Sequence, residues 1–174
     1  VAEIERIGIN YELLVYDDGS QDSTGQVLEG LVGRLRRLVF RRHENSGHGA
    51  TILRGYWEAR AEWVFQVDSD DEMAPDHFKE LWVERSRYDL LLGCRKNRHS
   101  SVPRRFISAV SRLTVWILFG RKFCDVNTPY RLIKRTCLTK ILPRIPMDTF
   151  APNVIMCGLA AQDRLRIFEC WVPH

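Results

Sequence analysis

Short apolar runs alternate along this chain with stretches in which apolar residues recur at helical spacing. Apolar runs bounded by turn residues predict strands at 12–16, 38–40, 63–67, 89–93 and 165–172. Helical spacing predicts helices at about 24–37, 50–61, 76–85, 106–119, 135–142 and 153–161. Because strands and helices alternate with short links, we predict a single α/β domain over residues 1–174, with helices flanking a mostly parallel sheet.

Two of the predicted strands end in acidic clusters. Asp17 and Asp18 follow the first strand, and Asp68, Ser69 and Asp70 follow the third. Ligands of open parallel sheets bind beyond the carboxyl ends of the strands, so we expect these carboxylates to face one crevice. The second cluster can converge on Mg²⁺ or Mn²⁺, with a diphosphate completing the ligand set. The alternative is that it caps the following helix.

Two further polar segments lie near the predicted crevice. Residues 17–24 (DDGSQDST) form either a turn with a helix cap or a site where a carboxylate binds a nucleobase or ribose. Residues 45–49 (NSGHG) precede a helix, where glycines let the backbone approach an anionic ligand, although an ordinary loop explains them equally well.

Basic side chains are concentrated in one part of the chain. Residues 95–144 hold 13 Lys or Arg against one acid, whereas the remainder holds 13 basic and 21 acidic side chains. The asymmetry predicts an anionic partner (nucleic acid, lipid headgroups or a phosphorylated substrate), unless the region is simply a solvated basic face. Arginines of this region could clamp a diphosphate, the candidates being Arg95, Arg98, Arg104, Arg105 and Arg131.

Composition narrows the class of protein. The chain is 45% hydrophobic and 28% charged, which excludes disordered and collagen-like proteins. Its longest mostly apolar stretch without a charge, 113–120, is far shorter than the ~18 residues that a membrane-spanning helix needs. The five cysteines are scattered, so their spacing indicates neither a zinc site nor a disulfide framework, and Cys94 is expected to be a small buried residue. A reducing, cytoplasmic setting follows from this cysteine usage.

Taken together and in this order, the motifs resemble the inverting family-two glycosyltransferases, which have a GT-A fold. The resemblance is carried by the segments 11–24 (YELLVYDDGSQDST), 45–61 (NSGHGATILRGYWEARA), 63–75 (WVFQVDSDDEMAP), 89–95 (DLLLGCR) and 125–135 (DVNTPYRLIKR). Within the family the chain looks most like the dolichyl- or polyprenyl-phosphate sugar transferases. The family's first strand would precede residue 1, so the resemblance implies a truncated, Rossmann-like GT-A domain.

The resemblance implies a UDP- or GDP-sugar donor and a divalent cation, Mg²⁺ or Mn²⁺. Asp17 and Asp18 would contact the nucleobase or ribose, and Asp68 and Ser69 would complete the nucleotide site. Asp68 and Asp70 match the family's metal-and-diphosphate motif, so they would hold the cation.

The resemblance also implies three catalytic residues: Asp70 at the metal, Arg95 on the donor phosphate and Arg131 on the acceptor side. Members that act on saccharides usually carry a Glu-Asp pair with the catalytic base, which is missing between 129 and 163, where Asp148 stands alone. A lipid phosphate is already ionised and needs no general base. We therefore predict in-line transfer, with inversion, to a polyprenyl or dolichyl phosphate.

The segment 104–122 combines an apolar, aromatic helix with basic flanks. That pattern suits a helix lying in a membrane interface, and it predicts a peripheral protein at the cytoplasmic face of a membrane. The alternative is a core helix with charged ends.

Three other functions fit part of the pattern. One is a family-two transferase acting on a glycan or other hydroxyl acceptor, with Asp148 or Asp125 as base. A second is a nucleotidyltransferase, which also uses paired acids on an α/β sheet. A third is a non-catalytic basic module that binds a membrane or nucleic acid, but it leaves the ordered acidic motifs unexplained. We therefore expect no nucleic-acid partner.

Overall fold

The computed structural model describes residues 2–35, 37–70, 72–96 and 102–173, with the backbone alone at 96 and 102–108. The strands are β1 (Leu13–Asp17), β2 (Leu38–Arg42), β3 (Trp63–Gln66), β4 (Leu90–Lys96), β5 (Arg131–Lys134) and β6 (Ile167–Pro173). The α-helices are α1 (Ala2–Arg6), α2 (Thr24–Val32), α3 (His48–Glu58), α4 (Phe78–Glu84), α5 (Val102–Phe119), α6 (Arg135–Ile141) and α7 (Pro152–Gln162). Short 3₁₀ turns precede α4 and follow α6.

The strands form two sheets. β1 pairs with β2 in parallel, and a second sheet has the order β3-β5-β4-β6. β5 runs antiparallel to both of its neighbours, whereas β4 and β6 are parallel. The α/β class is confirmed, but the prediction of a mostly parallel sheet needs correcting. Pairings among the described strands divide equally between the two types because β5, which the sequence analysis missed, inserts between β3 and β4.

Both faces of the four-stranded sheet are covered. On β4, Leu90 and Leu92 face a core shared with α3, α5, α6 and α7, and Leu91 faces a second core with α1 and α4. Side chains of a strand alternate between faces, so a strand buried on both faces is apolar at every position. That is why 89–93 was recognisable as a strand from its sequence.

Helix α5 is packed on the core along one side. Val115 is buried, and Phe119 lies so close to Gly158 of α7 that a methyl group there would come within 2.5 Å of its ring. The rest of the described surface of α5 is open, with five apolar side chains that are 44–68% exposed: Val110, Leu113, Trp116, Ile117 and Leu118. Among the described residues, no helix has the length and apolarity to cross a membrane.

Candidate active site

Asp17, the last residue of β1, stabilises the turn that follows the strand. Its side chain is buried, and Oδ1 accepts a hydrogen bond from the Ser20 backbone N–H at 2.8 Å. Oδ2 lies 3.4 Å from Nε of Arg42 on the neighbouring strand. The Ser20 hydrogen bonds are the largest cause of a lowered pKa at Asp17. The carboxylate therefore stays ionised and fixes the turn after β1.

Asp18 connects this turn to the glycine loop before α3. Oδ1 accepts hydrogen bonds from the Ser46 backbone N–H at 2.8 Å and from its hydroxyl at 3.2 Å, and Oδ2 accepts one from Gly47 N–H at 2.9 Å. Burial alone would raise the pKa of Asp18, but these hydrogen bonds lower it. Between the two segments, Gly19 has φ +79° and leaves no room for a side chain, since a Cβ would lie 2.8 Å from the Asn45 backbone nitrogen.

These contacts engage both carboxylates with the protein itself. They account for the first part of the 17–24 segment as a turn that anchors a loop. The helix cap that the sequence also suggested is not formed, because Ser23 at the start of α2 makes no side-chain capping hydrogen bond. Nucleotide binding by Asp17 and Asp18 stays a prediction.

The acidic cluster after β3 is different. Asp68 is partly buried, and its hydrogen-bond partner among the described residues is distant: Nε2 of Gln66 lies 3.5 Å from Oδ1. Nε2 of His48 lies 3.9 Å from Oδ2. Burial raises the pKa of Asp68, and the nearby charge of Asp70 raises it further, whereas His48 and Arg95 oppose the shift.

Asp70 and Ser69 are exposed beside Asp68. Asp70 accepts one hydrogen bond, at 3.1 Å, from the backbone of Glu72. Two carboxylates thus lie together, one of them partly desolvated and weakly partnered. This donor set fits a hard divalent cation such as Mg²⁺ or Mn²⁺, because a cation offsets both the mutual repulsion and the cost of burial.

Gln66 is a positioning residue that the sequence analysis missed. It accepts a 2.6 Å hydrogen bond from the buried Tyr56 hydroxyl on α3, and this fixes its amide with Nε2 toward Asp68. The signal in the sequence was a polar residue within the apolar strand WVFQV.

Arg95 lies near the acidic cluster, as its effect on Asp68 shows, but its guanidinium is already paired. It binds Asp125 in bidentate fashion, at 2.6 Å and 3.1 Å, and donates to the Asn127 carbonyl at 3.3 Å. The side chains of Arg95 and Asp125 are 7% and 14% exposed. A donor phosphate would have to compete with this ion pair for Arg95.

The prediction for Arg131 is wrong. Its side chain is fully buried, and its guanidinium donates to the backbone carbonyls of Thr128, Val126 and Asn153. A group without solvent access cannot touch an acceptor in this conformation. Arg131 instead holds the loop before β5 against α7, which is a structural role.

Other basic residues of 95–144 are also engaged internally. Arg135 donates to the Ala59 carbonyl at 2.8 Å, and Arg144 pairs with Asp163 at 2.7 Å. The excess of positive charge in this segment is therefore offset in part by internal partners. Arg98 lies outside the described residues, as do the side chains of Arg104 and Arg105.

A loop formed by residues 146–151 packs on the first turn of α3. A Cβ on Gly49 would lie 2.0 Å from the Thr149 carbonyl oxygen, so the two segments touch at a glycine. Asp148 is exposed in this loop. The loop therefore contacts α3 directly after His48, the residue whose Nε2 lies 3.9 Å from Asp68.

Comparison with known proteins identifies the family of this chain. The family model described as "Glycosyl transferase family 2" matches residues 2–142. The chain belongs to glycosyltransferase family 2. Curated relatives include undecaprenyl-phosphate 4-deoxy-4-formamido-L-arabinose transferases of Pseudomonas fluorescens SBW25 and Pseudomonas paraeruginosa PA7, each 29% identical over 157 residues. Each match covers 87% of this chain and 45% of the relative, so the chain spans less than half the length of these transferases.

Solved structures agree on the fold of this family 2 domain. TarS from S. aureus (residues 1–349) superposes with a TM-score of 0.61 at 22% identity, over 91% of this chain and 48% of TarS. The mannosyltransferase PcManGT from Pyrobaculum calidifontis, solved with GDP-Man and Mn²⁺, gives 0.63 at 17% identity, over 94% and 47% of the two chains. The predicted GT-A fold is thereby confirmed.

Proposed function

We propose that this family 2 domain transfers a sugar, with inversion, from a UDP- or GDP-sugar to a polyprenyl phosphate, with Mg²⁺ or Mn²⁺ held by Asp68 and Asp70. The observation that carries the proposal is the state of Asp68. It is a partly buried carboxylate beside a second one, with its donors among the described residues no nearer than 3.5 Å. The Mn²⁺ present in the PcManGT complex supports the assignment.

The cation would neutralise the diphosphate as it leaves the sugar. Asp68 would be its inner ligand, oriented by Gln66, and the exposed Asp70 would be the second. Ser69 and the Asp17–Asp18 turn would border the nucleotide. Catalytic roles remain proposed for Asp70 and Arg95, the latter approaching the donor phosphate once Asp125 shares or releases it.

The acceptor class rests on chemistry and on relatives. The relatives named above are undecaprenyl-phosphate transferases. A phosphate oxygen of such a lipid would attack the anomeric carbon as the bond to the nucleoside diphosphate breaks, so no side chain has to remove a proton. The bidentate engagement of Asp125 by Arg95 fits this proposal, since it leaves that carboxylate poorly placed to act as a base.

A lipid acceptor needs the domain to reach a membrane. We assign this contact to the exposed apolar side of α5, within the 104–122 segment. Val110, Leu113, Trp116 and Ile117 lie on that side, and the Lys122 ammonium sits 4.6 Å from the Trp116 ring centroid, where it can meet anionic headgroups. The protein would then be peripheral at the cytoplasmic face of the membrane.

The membrane assignment has a matched control. A Trp116→Ser and Ile117→Ser double variant should lose most of its co-sedimentation with anionic vesicles. A Val27→Ser and Val83→Ser double variant removes comparably exposed apolar residues from α2 and α4. This control variant should still co-sediment with the vesicles. Equal losses in both variants would contradict a specific role for α5.

A second candidate, transfer to a glycan hydroxyl, is supported by Asp148. This exposed carboxylate sits in the loop that packs on α3 next to His48, where a base could reach an acceptor hydroxyl.

One experiment separates the two functions. The purified protein is incubated with labelled UDP- and GDP-sugars, Mn²⁺ or EDTA, and either undecaprenyl phosphate in detergent or an oligosaccharide mixture. We expect Mn²⁺-dependent label in the lipid fraction, with one nucleotide raising the thermal unfolding midpoint when Mn²⁺ is present. Transfer to saccharide without transfer to the lipid would refute the proposed acceptor. A nucleotide that raises the unfolding midpoint equally with and without Mn²⁺ would refute the metal site.

A further inference from the structure

A cluster of three metal-binding side chains lies outside the proposed active site. Sγ of Cys94, Sγ of Cys124 and a carboxylate oxygen of Glu169 all lie within 4.8 Å of one another. They come from β4, from the loop after α5 and from β6. We propose that these three residues bind a zinc-type divalent cation, with water as the fourth ligand.

Two of the three ligands sit on a rigid frame. β4 and β6 pair in parallel over their full lengths, which fixes Cys94 and Glu169 relative to each other. The third ligand is held by its own backbone, because the N–H of Cys124 donates to Glu169 Oε1 at 2.8 Å. The Cys94 thiol lies 3.5 Å from the same oxygen. The ligands are therefore gathered before any cation arrives.

The chemistry of the set selects the cation. Two thiolates and a carboxylate match Zn²⁺, which takes Cys and Glu ligands in tetrahedral geometry, whereas Mg²⁺ and Mn²⁺ prefer oxygen. Cys94 is buried and Cys124 is exposed, so the site is closed on the protein side and open to water on the other. Three protein ligands and one water molecule in the open position would give the cation four ligands.

Binding must displace thiol protons. Burial raises the pKa of Cys94 and of Cys124, and the nearby Glu169 charge adds to both shifts, so the free thiols are protonated near neutral pH. Arg112, which donates to the Cys124 carbonyl, opposes the shift at Cys124. A divalent cation that replaces the two thiol protons leaves the net charge of the cluster unchanged, and its affinity should rise with pH because those protons are released on binding.

The cysteine cluster adjoins residues of the proposed active site in the sequence, but its ligands suit a different cation. Cys94 and Cys124 directly precede Arg95 and Asp125, the two members of the bidentate ion pair. A cation on the two cysteines would hold β4 and the 121–129 loop together on one side, while the ion pair holds them on the other. It would thereby fix the position of Arg95.

Cobalt provides a direct test, because Co²⁺ bound to thiolate gives a near-ultraviolet charge-transfer band that carboxylate ligands do not give. The reduced protein is titrated with Co²⁺ and then with Zn²⁺. We expect the band to form and to disappear as Zn²⁺ displaces Co²⁺. The apparent Co²⁺ affinity should fall at least about tenfold in Cys94→Ser, Cys124→Ser and Glu169→Gln, since each removes one of three protein ligands. Cys137→Ser, on α6, and Asp70→Asn, at the other cation site, should keep the full band.

Several results would overturn the proposal. These are no band at saturating Co²⁺, a band that survives Cys94→Ser and Cys124→Ser together, or one that also vanishes in Cys137→Ser. Formation of a Cys94–Cys124 disulfide in air, with no metal bound by the reduced protein, would identify a redox pair instead. Circular dichroism of each metal-free variant shows whether it is folded, and Glu169→Gln, which keeps an acceptor for the Cys124 N–H, tests the site should a cysteine variant fail to fold.

Discussion

The two acidic clusters look alike in sequence and behave oppositely in the structure. After β1, Asp17 and Asp18 are hydrogen-bonded by backbone N–H groups, and their pKa values are lowered. After β3, Asp68 has a raised pKa beside Asp70 and distant donors. In the first cluster both carboxylates are engaged by backbone N–H groups, although Oδ2 of Asp17 is buried without a hydrogen bond, whereas the second cluster has electrostatic capacity left for a cation.

This difference separates structural from chemical roles more sharply than the motifs do. A carboxylate that anchors backbone N–H groups stabilises the fold, and its removal should cost stability. A partly desolvated carboxylate next to another costs stability in the absence of its ligand, so its presence indicates a functional site.

The largest expected effect is on activity at the second cluster. Asp70→Asn should reduce sugar transfer at least about 100-fold, because the proposed cation would lose a charged ligand. The free energy of unfolding should change by less than about 0.5 kcal/mol, since the side chain is exposed. Initial rates and urea denaturation measure the two quantities.

Asp76→Asn, in the turn before α4, is the matched control, because it also neutralises an exposed carboxylate. It should leave the transfer rate unchanged. A loss of activity as large as that of Asp70→Asn would mean that general negative charge, and not a cation site, is at work.

The next effect is on stability at the first cluster. Asp18→Asn places an amide N–H₂ against groups that donate, so it should lower the free energy of unfolding by about 1–3 kcal/mol. Asp22→Asn removes a carboxylate that accepts the exposed Thr24 N–H, and it should cost less than about 1 kcal/mol. Equal stability of both variants in urea would show that Asp18 does not anchor the glycine loop.

The clusters should also respond to pH with opposite signs. The stabilisation by Asp18 is present above its ordinary pKa of 3.8 and is lost as pH falls through its lowered folded pKa. Asp68 instead destabilises the fold above its raised pKa, and this cost disappears as pH falls through that value. In EDTA, Asp68→Asn should therefore be more stable than the wild type near neutral pH, and the advantage should shrink on acidification.

For Asp18→Asn the deficit should persist until the pH is below 3.8 and only then shrink. Urea denaturation from about pH 7 to about pH 3 compares the three proteins. Parallel curves for the two variants would contradict the contrast between the clusters.

Much of this architecture could be predicted because it is local in sequence. Buried strands followed by polar turns identified β1, β3 and β4, and the helical spacing of 106–119 identified α5 and its apolar side. The strand β5 was missed because RLIK contains two basic residues, although its first three side chains are buried. The sequence did not reveal that backbone carbonyls, rather than solvent, would accept the hydrogen bonds of the Arg131 guanidinium.

Side-chain contacts between residues far apart in the chain could not be predicted from the sequence, for a different reason. Arg95 meets Asp125 across 30 residues, and Cys94 meets Glu169 across 75. Such contacts depend on which strands become neighbours: Cys94 meets Glu169 because β4 pairs with β6, and the spacing of the two strands in the chain does not reveal that pairing. Without knowledge of these long-range contacts the cysteines appeared isolated, and Arg95 appeared free for a phosphate.

The smallest expected effect concerns a third carboxylate, Asp148, which lies exposed on the loop that packs on α3. Transfer to a lipid phosphate needs no base, so Asp148→Ala should change kcat by less than about threefold, whereas loss of a general base would lower it about 10²–10⁴-fold. The loop is held through the Thr149 backbone, so the variant should remain folded. Rates with undecaprenyl phosphate and with oligosaccharides decide the matter. A large loss of saccharide transfer would make Asp148 the base and would favour a hydroxyl acceptor over the lipid phosphate.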